Sequence, residues 1–122
     1  AQRLVRRLCP HCREAYRAAD YEMRLLGCTD NGVRPTLFRA RGCPQCDFQG
    51  YRGRMAIMEL LRMDADLDEL IARRATAREL HHSAASRGFR PLADDGTRRV
   101  LEGSTSLEEL SRVIDLTERL LP

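Results

Sequence analysis

Two short cysteine patterns are the most informative feature of the sequence. Cys9-Pro10-His11-Cys12 and Cys43-Pro44-Gln45-Cys46 share the form CPxC. Each pattern can turn the chain so that two thiolates face one metal ion, and four thiolates form the ligand set of a closed, tetrahedral zinc site. Because a closed site has no open position for water or substrate, we predict structural Zn²⁺ and not catalytic zinc. The predicted ligands are Cys9, Cys12, Cys43 and Cys46.

The remaining cysteine and the histidines do not extend this pattern. Cys28 has no partner at ligand spacing, and we interpret it as a small buried apolar residue, although the sequence leaves its role open. His11 lies between two predicted ligands and is expected at the surface, while His81 and His82 are expected to be structural or exposed. An alternative use of the CPxC pairs is a thiol oxidoreductase, which needs a reactive cysteine of low pKa and no bound metal.

All 21 basic residues are arginine, since the sequence contains no lysine. They are interspersed with 18 acidic residues, and a net charge of +3 is a weak argument for a nucleic-acid surface. A freestanding zinc-ribbon module that binds nucleic acid is nevertheless the alternative function. Four thiolates on one Zn²⁺ carry a charge of about −2, which neighbouring arginines can offset. The arginines nearest to the cysteines in sequence are Arg6, Arg7, Arg13, Arg41 and Arg52.

Motifs that carry catalysis are absent from the sequence. A phosphate-binding loop of the form GxxxxGK[ST] needs a lysine, and the chain has none. The patterns GxSxG and HExxH are also missing. We therefore expect no catalytic activity from this chain by itself.

The size and composition limit the chain to one domain or two small lobes. It has 122 residues, of which 43% are apolar and only 5% aromatic, so we expect a bound metal to add to its stability. No apolar run approaches the roughly 18 to 20 residues of a membrane helix, and the first residues do not resemble a signal peptide, so we expect a cytosolic protein. The chain does not begin with methionine, and we expect it to be part of a longer protein.

Short strands and one helix are predicted around the cysteines. The first eight residues favour a strand, and Arg13 to Leu26 favour a helix ended by Gly27. Asn31-Gly32 predicts a turn, and the segment LFRARG before Cys43 is a strand candidate. The apolar run from Met55 to Leu61 is predicted as a buried strand.

Helical signals dominate after Asp64. Asp66 can cap a helix over LDELIARR, and Thr76 with Glu79 forms a capping box for a helix ended by Gly88. A third helix is expected from Pro91 to Gly103. A second capping box, Ser106 with Glu109, begins LEELSRVIDLTERLL.

These elements predict an α+β fold. Residues 1–62 form a small zinc-ribbon-like lobe with a helical insert and short flanking strands, and residues 63–122 form a C-terminal helical bundle.

The order of the motifs resembles a known family. QRLVRRLCPHC, PTLFRARGCPQC, GYRGRMAIMELL and LADDGTRRVLEGSTSLEEL follow one another as in the C-terminal part of the type II secretion and type IV pilus assembly ATPases. The resemblance extends from Gln2 to about Asp115. Both CPxC patterns together with GYRGR are far more specific than either piece alone.

The resemblance implies a cytoplasmic, hexameric motor that powers protein export or pilus assembly. Its ATP- and Mg²⁺-binding core would precede these residues, so no catalytic or cofactor-binding residue is carried over to this chain. Gln2–Leu8 would be the last core strand, the four cysteines the zinc ligands, and Met55–Leu61 the strand that returns to the core sheet. The implied partners are neighbouring ATPase subunits and the cytoplasmic domain of an inner-membrane platform protein, with no nucleic acid. GCPQCDFQGYRGR is closer to the secretion branch, but these residues do not decide between the two systems.

Overall fold

Two antiparallel strand pairs form the N-terminal half of the computed structural model, which describes residues 1–28 and 33–117. The first pair joins β1 (Gln2–Leu8) to β4 (Tyr51–Met58), and the second joins β2 (Glu14–Arg17) to β3 (Thr36–Arg39). The second pair lies between the strands of the first along the chain. The α+β prediction is confirmed, as are the predicted strands in the first eight residues and in LFRARG.

The helix predicted over Arg13 to Leu26 is wrong in its first half. Residues Glu14–Arg17 form β2 instead, because Tyr16 pairs with Leu37 of β3. The helix α1 covers only Asp20–Leu25. Its start is fixed by the buried Glu22 carboxylate, which accepts hydrogen bonds from the Ala19 N–H at 2.9 Å and the Tyr16 hydroxyl at 2.7 Å. The turn predicted at Asn31-Gly32 lies outside the described residues.

The strand predicted from Met55 to Leu61 is shifted towards the N-terminus of the chain. Pairing with β1 explains the shift, since Leu8 faces Tyr51 at one end and Gln2 faces Met58 at the other. Glu59 still exchanges backbone hydrogen bonds with Ala1, at 3.0 and 3.2 Å, but the Leu60 side chain is 82% exposed. The pairing register changes opposite Gly53, whose positive φ of 78° fits a β-bulge.

Four helices follow, with bounds close to the predicted ones. They are α2 (Ala65–Ala72), α3 (Ala77–Ser86), α4 (Leu92–Leu101) and α5 (Leu107–Val113). Thr76 and Ser106 cap α3 and α5 as predicted, but the second half of the Ser106–Glu109 capping box is wrong, because the Glu109 carboxylate binds Arg6 and Arg112 instead. The predicted cap Asp66 is wrong, because the Asp64 carboxylate accepts the Leu67 N–H at 2.8 Å and caps α2 two residues earlier, while Asp66 pairs with Arg87.

The last helix is shorter than predicted. It ends at Val113, because Ile114 has extended backbone angles (φ −133°, ψ 136°). Residues 118–121 of the predicted helix lie outside the described residues. No helix within the described ranges combines the length and the apolar character that crossing a membrane requires.

The helices of the C-terminal half pack in two different ways. The helices α2 and α3 pack chiefly on each other, whereas α4 contacts β4 and β3, and α5 contacts β1 and β3. The main core therefore combines side chains of the strands, of α1 and of the last two helices. Its buried members are Val5, Ala18, Met23, Leu26, Leu37, Ile57, Val100, Leu107, Leu110 and Leu116.

A buried carboxylate joins α5 to β1. Glu109 is 1% exposed and accepts the Arg6 backbone N–H at 2.8 Å. Its oxygens also accept hydrogen bonds from the guanidinium groups of Arg6, at 2.9 and 3.1 Å, and of Arg112, at 2.9 and 3.0 Å. Burial alone would raise the pKa of Glu109, but these hydrogen bonds outweigh it and lower the pKa to about 2.

We expect Glu109→Gln to lower the free energy of unfolding by about 1.5–3 kcal/mol at pH 7, because buried hydrogen bonds to a charged group are lost. The pKa of Glu109 is lower in the folded protein than its value of about 4.3 in an unfolded chain, so its stabilising effect is complete above that pH and is lost as the pH falls towards about 2. Chemical unfolding followed by circular dichroism measures both effects. Equal stability of the two proteins at pH 7 would contradict this role.

Candidate metal centre

The four predicted ligand cysteines converge at one point. The sulfur atoms of Cys9, Cys12, Cys43 and Cys46 all lie within 4.8 Å of one another. The first CPxC turn directly follows β1, and the second contains a short 3-10 turn, Pro44–Cys46, shortly before β4. Because β1 and β4 pair, the two turns are brought together, and the Cys9 N–H donates to the Gly50 carbonyl at 3.0 Å.

The spacing of the sulfur atoms fits a tetrahedral metal ion. The Sγ–Sγ distance is 3.8 Å for Cys9 to Cys43, for Cys12 to Cys46 and for Cys43 to Cys46. Zinc–sulfur bonds of about 2.3 Å place the corners of a tetrahedron about 3.8 Å apart. A disulfide would need about 2.05 Å, so the cysteines are arranged as separate ligands. A thiol oxidoreductase needs only two of them, and the convergence of all four favours a metal.

Backbone hydrogen bonds shape both turns. In the first, the Arg13 N–H donates to the Cys9 carbonyl at 3.0 Å, and in the second the Phe48 N–H donates to the Cys43 carbonyl at 2.9 Å. Asp47 and Phe48 have positive φ angles of 58° and 62°. Two consecutive residues other than glycine in this region cost conformational energy, which the closure of the second turn must offset.

Backbone N–H groups point at the sulfur atoms. Cys46 Sγ accepts from the N–H groups of Gly50 at 3.2 Å and Cys43 at 3.3 Å, and Cys12 Sγ accepts from Gly42 at 3.3 Å. Burial opposes ionisation of Cys46, yet these donors lower its pKa to about 6, whereas burial raises the pKa of Cys12 to about 11. A bound divalent metal would hold all four sulfurs as thiolates. The donor set, the spacing and the N–H groups therefore fit zinc.

Gly50 has a role at this site that the sequence analysis missed. Its N–H binds Cys46 and its carbonyl binds the N–H of Cys9, so its backbone links the two turns. Its φ is 81°, and a Cβ atom at this position would lie 2.6 Å from Ala40 Cβ. The high glycine content after Cys46 is the sequence signal for this role, because a backbone that lies so close to a sulfur atom and to Ala40 has no room for a side chain.

Two of the arginines expected to offset the thiolate charge are engaged elsewhere. The Arg6 side chain binds Glu109 and stacks on Tyr51, with its Cζ atom 4.1 Å from the centroid of the ring. The Arg13 guanidinium donates to the Gly103 carbonyl at 2.8 Å and stacks on Phe38 at 4.2 Å. Sequence proximity to the cysteines did not reveal these contacts, which come from residues far along the chain. Arg7, Arg41 and Arg52 are exposed.

The remaining cysteine and the histidines are not part of the cluster. Cys28 is half-buried and packs against the main core, as expected for a small apolar residue. His11, His81 and His82 are exposed.

Comparisons with known proteins agree with the resemblance seen in the sequence. Residues 1–112 match the family model described as type II/IV secretion system protein. Type II secretion system protein E of Pseudomonas aeruginosa is 49% identical over 113 residues, which cover 93% of this chain and 22% of that protein. Type II secretion system ATPase E of Vibrio cholerae is 49% identical over 115 residues, with the same coverage of both proteins.

A pilus protein is also similar. Type IV pilus assembly ATPase TfpB of Acinetobacter baylyi is 36% identical over 126 residues, which cover 96% of this chain and 20% of that protein. The chain thus spans about a fifth of the length of these curated relatives. Because the family model covers nearly the whole chain, including all four clustered cysteines, the chain belongs to the type II/IV secretion system protein family.

Proposed function

We propose that this chain is a non-catalytic part of an ATPase motor that powers protein export or pilus assembly. Its four cysteines hold structural Zn²⁺ and stabilise a lobe that couples the motor to an inner-membrane platform. The observation that carries the proposal is the set of 3.8 Å sulfur–sulfur distances in a chain of this family. When bound, zinc supplies cross-links between the two CPxC turns.

The catalytic work is assigned to residues outside this chain. Relatives that carry the name ATPase are about five times as long as the matched segment. The chain has no lysine and therefore no phosphate-binding loop of the GxxxxGK[ST] form. ATP and Mg²⁺ would accordingly bind elsewhere in the complete protein.

Contacts between the lobe and the C-terminal helices provide a route for coupling. The Leu8 N–H, next to the first CPxC turn, donates to the Ser104 carbonyl at 2.9 Å. The Arg13 side chain, just after that turn, donates to the Gly103 carbonyl at 2.8 Å. A Cβ atom at Gly103 would lie within 2.9 Å of Phe38, so the connection between α4 and α5 touches both strand pairs. Movement of these helices would therefore carry the lobe with it.

The proposed partners are neighbouring subunits of the ATPase and the cytoplasmic domain of a platform protein. The protein would then be cytoplasmic and peripheral to the inner membrane through that contact. Nucleic acid is not proposed as a partner, because single strands bind by stacking their bases on open aromatic rings. Three of the six rings here are stacked by arginine, with Arg6 on Tyr51, Arg13 on Phe38 and Arg39 on Tyr16. The exposed rings of Tyr21 and Phe48 belong to separate elements, α1 and the second CPxC turn.

Zinc binding is tested by metal analysis of the complete natural protein, purified without added metal. We expect about one zinc per subunit, and a large loss in Cys12→Ser, because three sulfurs leave the tetrahedron incomplete. Cys28→Ser is the matched control, since Cys28 lies outside the cluster, and it should retain the metal. A wild-type protein free of zinc, or equal loss in both variants, would refute the site.

Coupling is tested by a substitution that leaves the cysteines intact. Arg13→Gln removes the hydrogen bond to Gly103, and we expect zinc content and ATP hydrolysis to be retained while export or pilus assembly falls by about fivefold or more. Arg17→Gln is the control, because Arg17 is an exposed arginine of the neighbouring strand β2. Parallel loss of hydrolysis and export, or unchanged export, would count against coupling through this contact.

A further inference from the structure

An open cleft of about 870 Å³ lies where α2 ends and α3 begins. Its volume falls within the range of sites that hold small molecules. The cleft belongs to helices that carry none of the four clustered cysteines, so it is separate from the candidate metal centre. Its lining residues are Leu70, Arg73, Arg74, Ala75, Thr76, Arg78, Glu79, His82 and Ser83.

Positive charge is in excess in this cleft. Arg73, Arg74 and Arg78 have no carboxylate partner within 4.0 Å in the part of the chain that the structure describes. Glu79 is the one acidic residue in the lining. Since an arginine side chain remains charged at any ordinary pH, three arginines and one glutamate leave the cleft with an excess of positive charge.

A second cleft, next to α4, shows the contrasting arrangement. Three arginines line it, but so do three acidic residues, and ion pairs form between them, such as Arg98 with Asp95 at 2.7 Å. Its charged residues are Glu59, Arg90, Asp94, Asp95, Arg98 and Arg99. Arg73, Arg74 and Arg78 therefore differ from the three arginines of this second cleft, which lie beside an equal number of acidic residues.

The backbone at Arg74 has a conformation that is unusual for arginine. Its φ is 56°, in the left-handed region that favours glycine. The Arg74 N–H donates to the Ile71 carbonyl at 3.0 Å, and the Ala75 N–H donates to the Leu70 carbonyl at 2.9 Å. This is the hydrogen-bond pattern of a helix end at which glycine is the usual residue. An arginine at this position costs conformational energy relative to glycine, and it adds a third guanidinium group to the cleft.

We propose that this cleft binds a phosphate-bearing anion through the guanidinium groups of Arg73, Arg74 and Arg78. Guanidinium donates paired hydrogen bonds that match phosphate oxygens, and it does so more strongly than neutral donors. His82 and Ser83 add side-chain hydrogen-bonding groups to the same lining. The phosphate can belong to a free anion or to a lipid headgroup, and the experiment below distinguishes these two sources.

Arginine-selective labelling of the complete natural protein tests the site residue by residue. Phenylglyoxal modification is followed by mass spectrometry with and without pyrophosphate, at constant ionic strength. We expect pyrophosphate at about ten times its dissociation constant to slow labelling of the three cleft arginines by about tenfold. Arg3 and Arg24, exposed arginines that do not line this cleft, serve as internal controls and should react at an unchanged rate. Reading each arginine separately also excludes phosphate bound elsewhere in the protein.

Vesicles provide the second arm of the labelling experiment. Protection of the same arginines by phosphatidylglycerol vesicles, with no effect of phosphatidylcholine vesicles or pyrophosphate, would identify a lipid headgroup as the source of the phosphate. Protection by pyrophosphate would identify a free anion. Protection by neither, or equal slowing at the control arginines, would overturn the proposal.

The variant Arg74→Gly separates binding from structure. Glycine suits the positive φ of this position, so the variant should be at least as stable to heat as the wild type. Loss of the guanidinium should nevertheless weaken protection of Arg73 and Arg78 by about tenfold. Unchanged protection in a stable variant would show that Arg74 does not take part in binding.

Discussion

Four sulfur atoms within 4.8 Å of one another are the constraint on which the N-terminal half of the structure depends. The cysteines belong to two turns that are far apart in sequence, and the pairing of β1 with β4 brings them together. Everything between the two turns, namely β2, α1 and β3, must then close into a compact insert. Four thiolates at this spacing would repel one another without a cation between them, so the proposed metal would supply stability that the few aromatic residues do not.

The same strands connect the cysteine cluster to the C-terminal helices. Leu8 and Arg13, on either side of the first CPxC turn, bind the backbone between α4 and α5. Glu109 of α5 binds back to Arg6 of β1, three residues before the first cysteine. The lobe is thus held to a helical support by backbone hydrogen bonds and by one buried carboxylate. Because of these contacts, the lobe and the helices would move together, as the proposed coupling between a motor and a platform would require.

Much of this arrangement could be predicted from local patterns. The CPxC pairs identified all four cysteines of the cluster, and the Thr76 and Ser106 caps located two helix starts, because these signals depend on residues only a few positions apart. Features set by distant residues were missed. The strand β2 forms because Tyr16 meets Leu37, which outweighs the local preference for helix, and the partners of Arg6 and Arg13 lie about 90 or more positions away.

Hydrogen exchange measured before and after removal of the metal tests the central claim most directly. If the four cysteines hold a metal that stabilises the lobe, strong chelation should sharply accelerate amide exchange in β2, β3 and both CPxC turns, while the amides of α2 and α3, which pack chiefly on each other, should remain protected. The account would be contradicted if amide exchange in the lobe were the same before and after complete removal of the metal. It would also be contradicted if the lobe were protected in a protein that contains no metal.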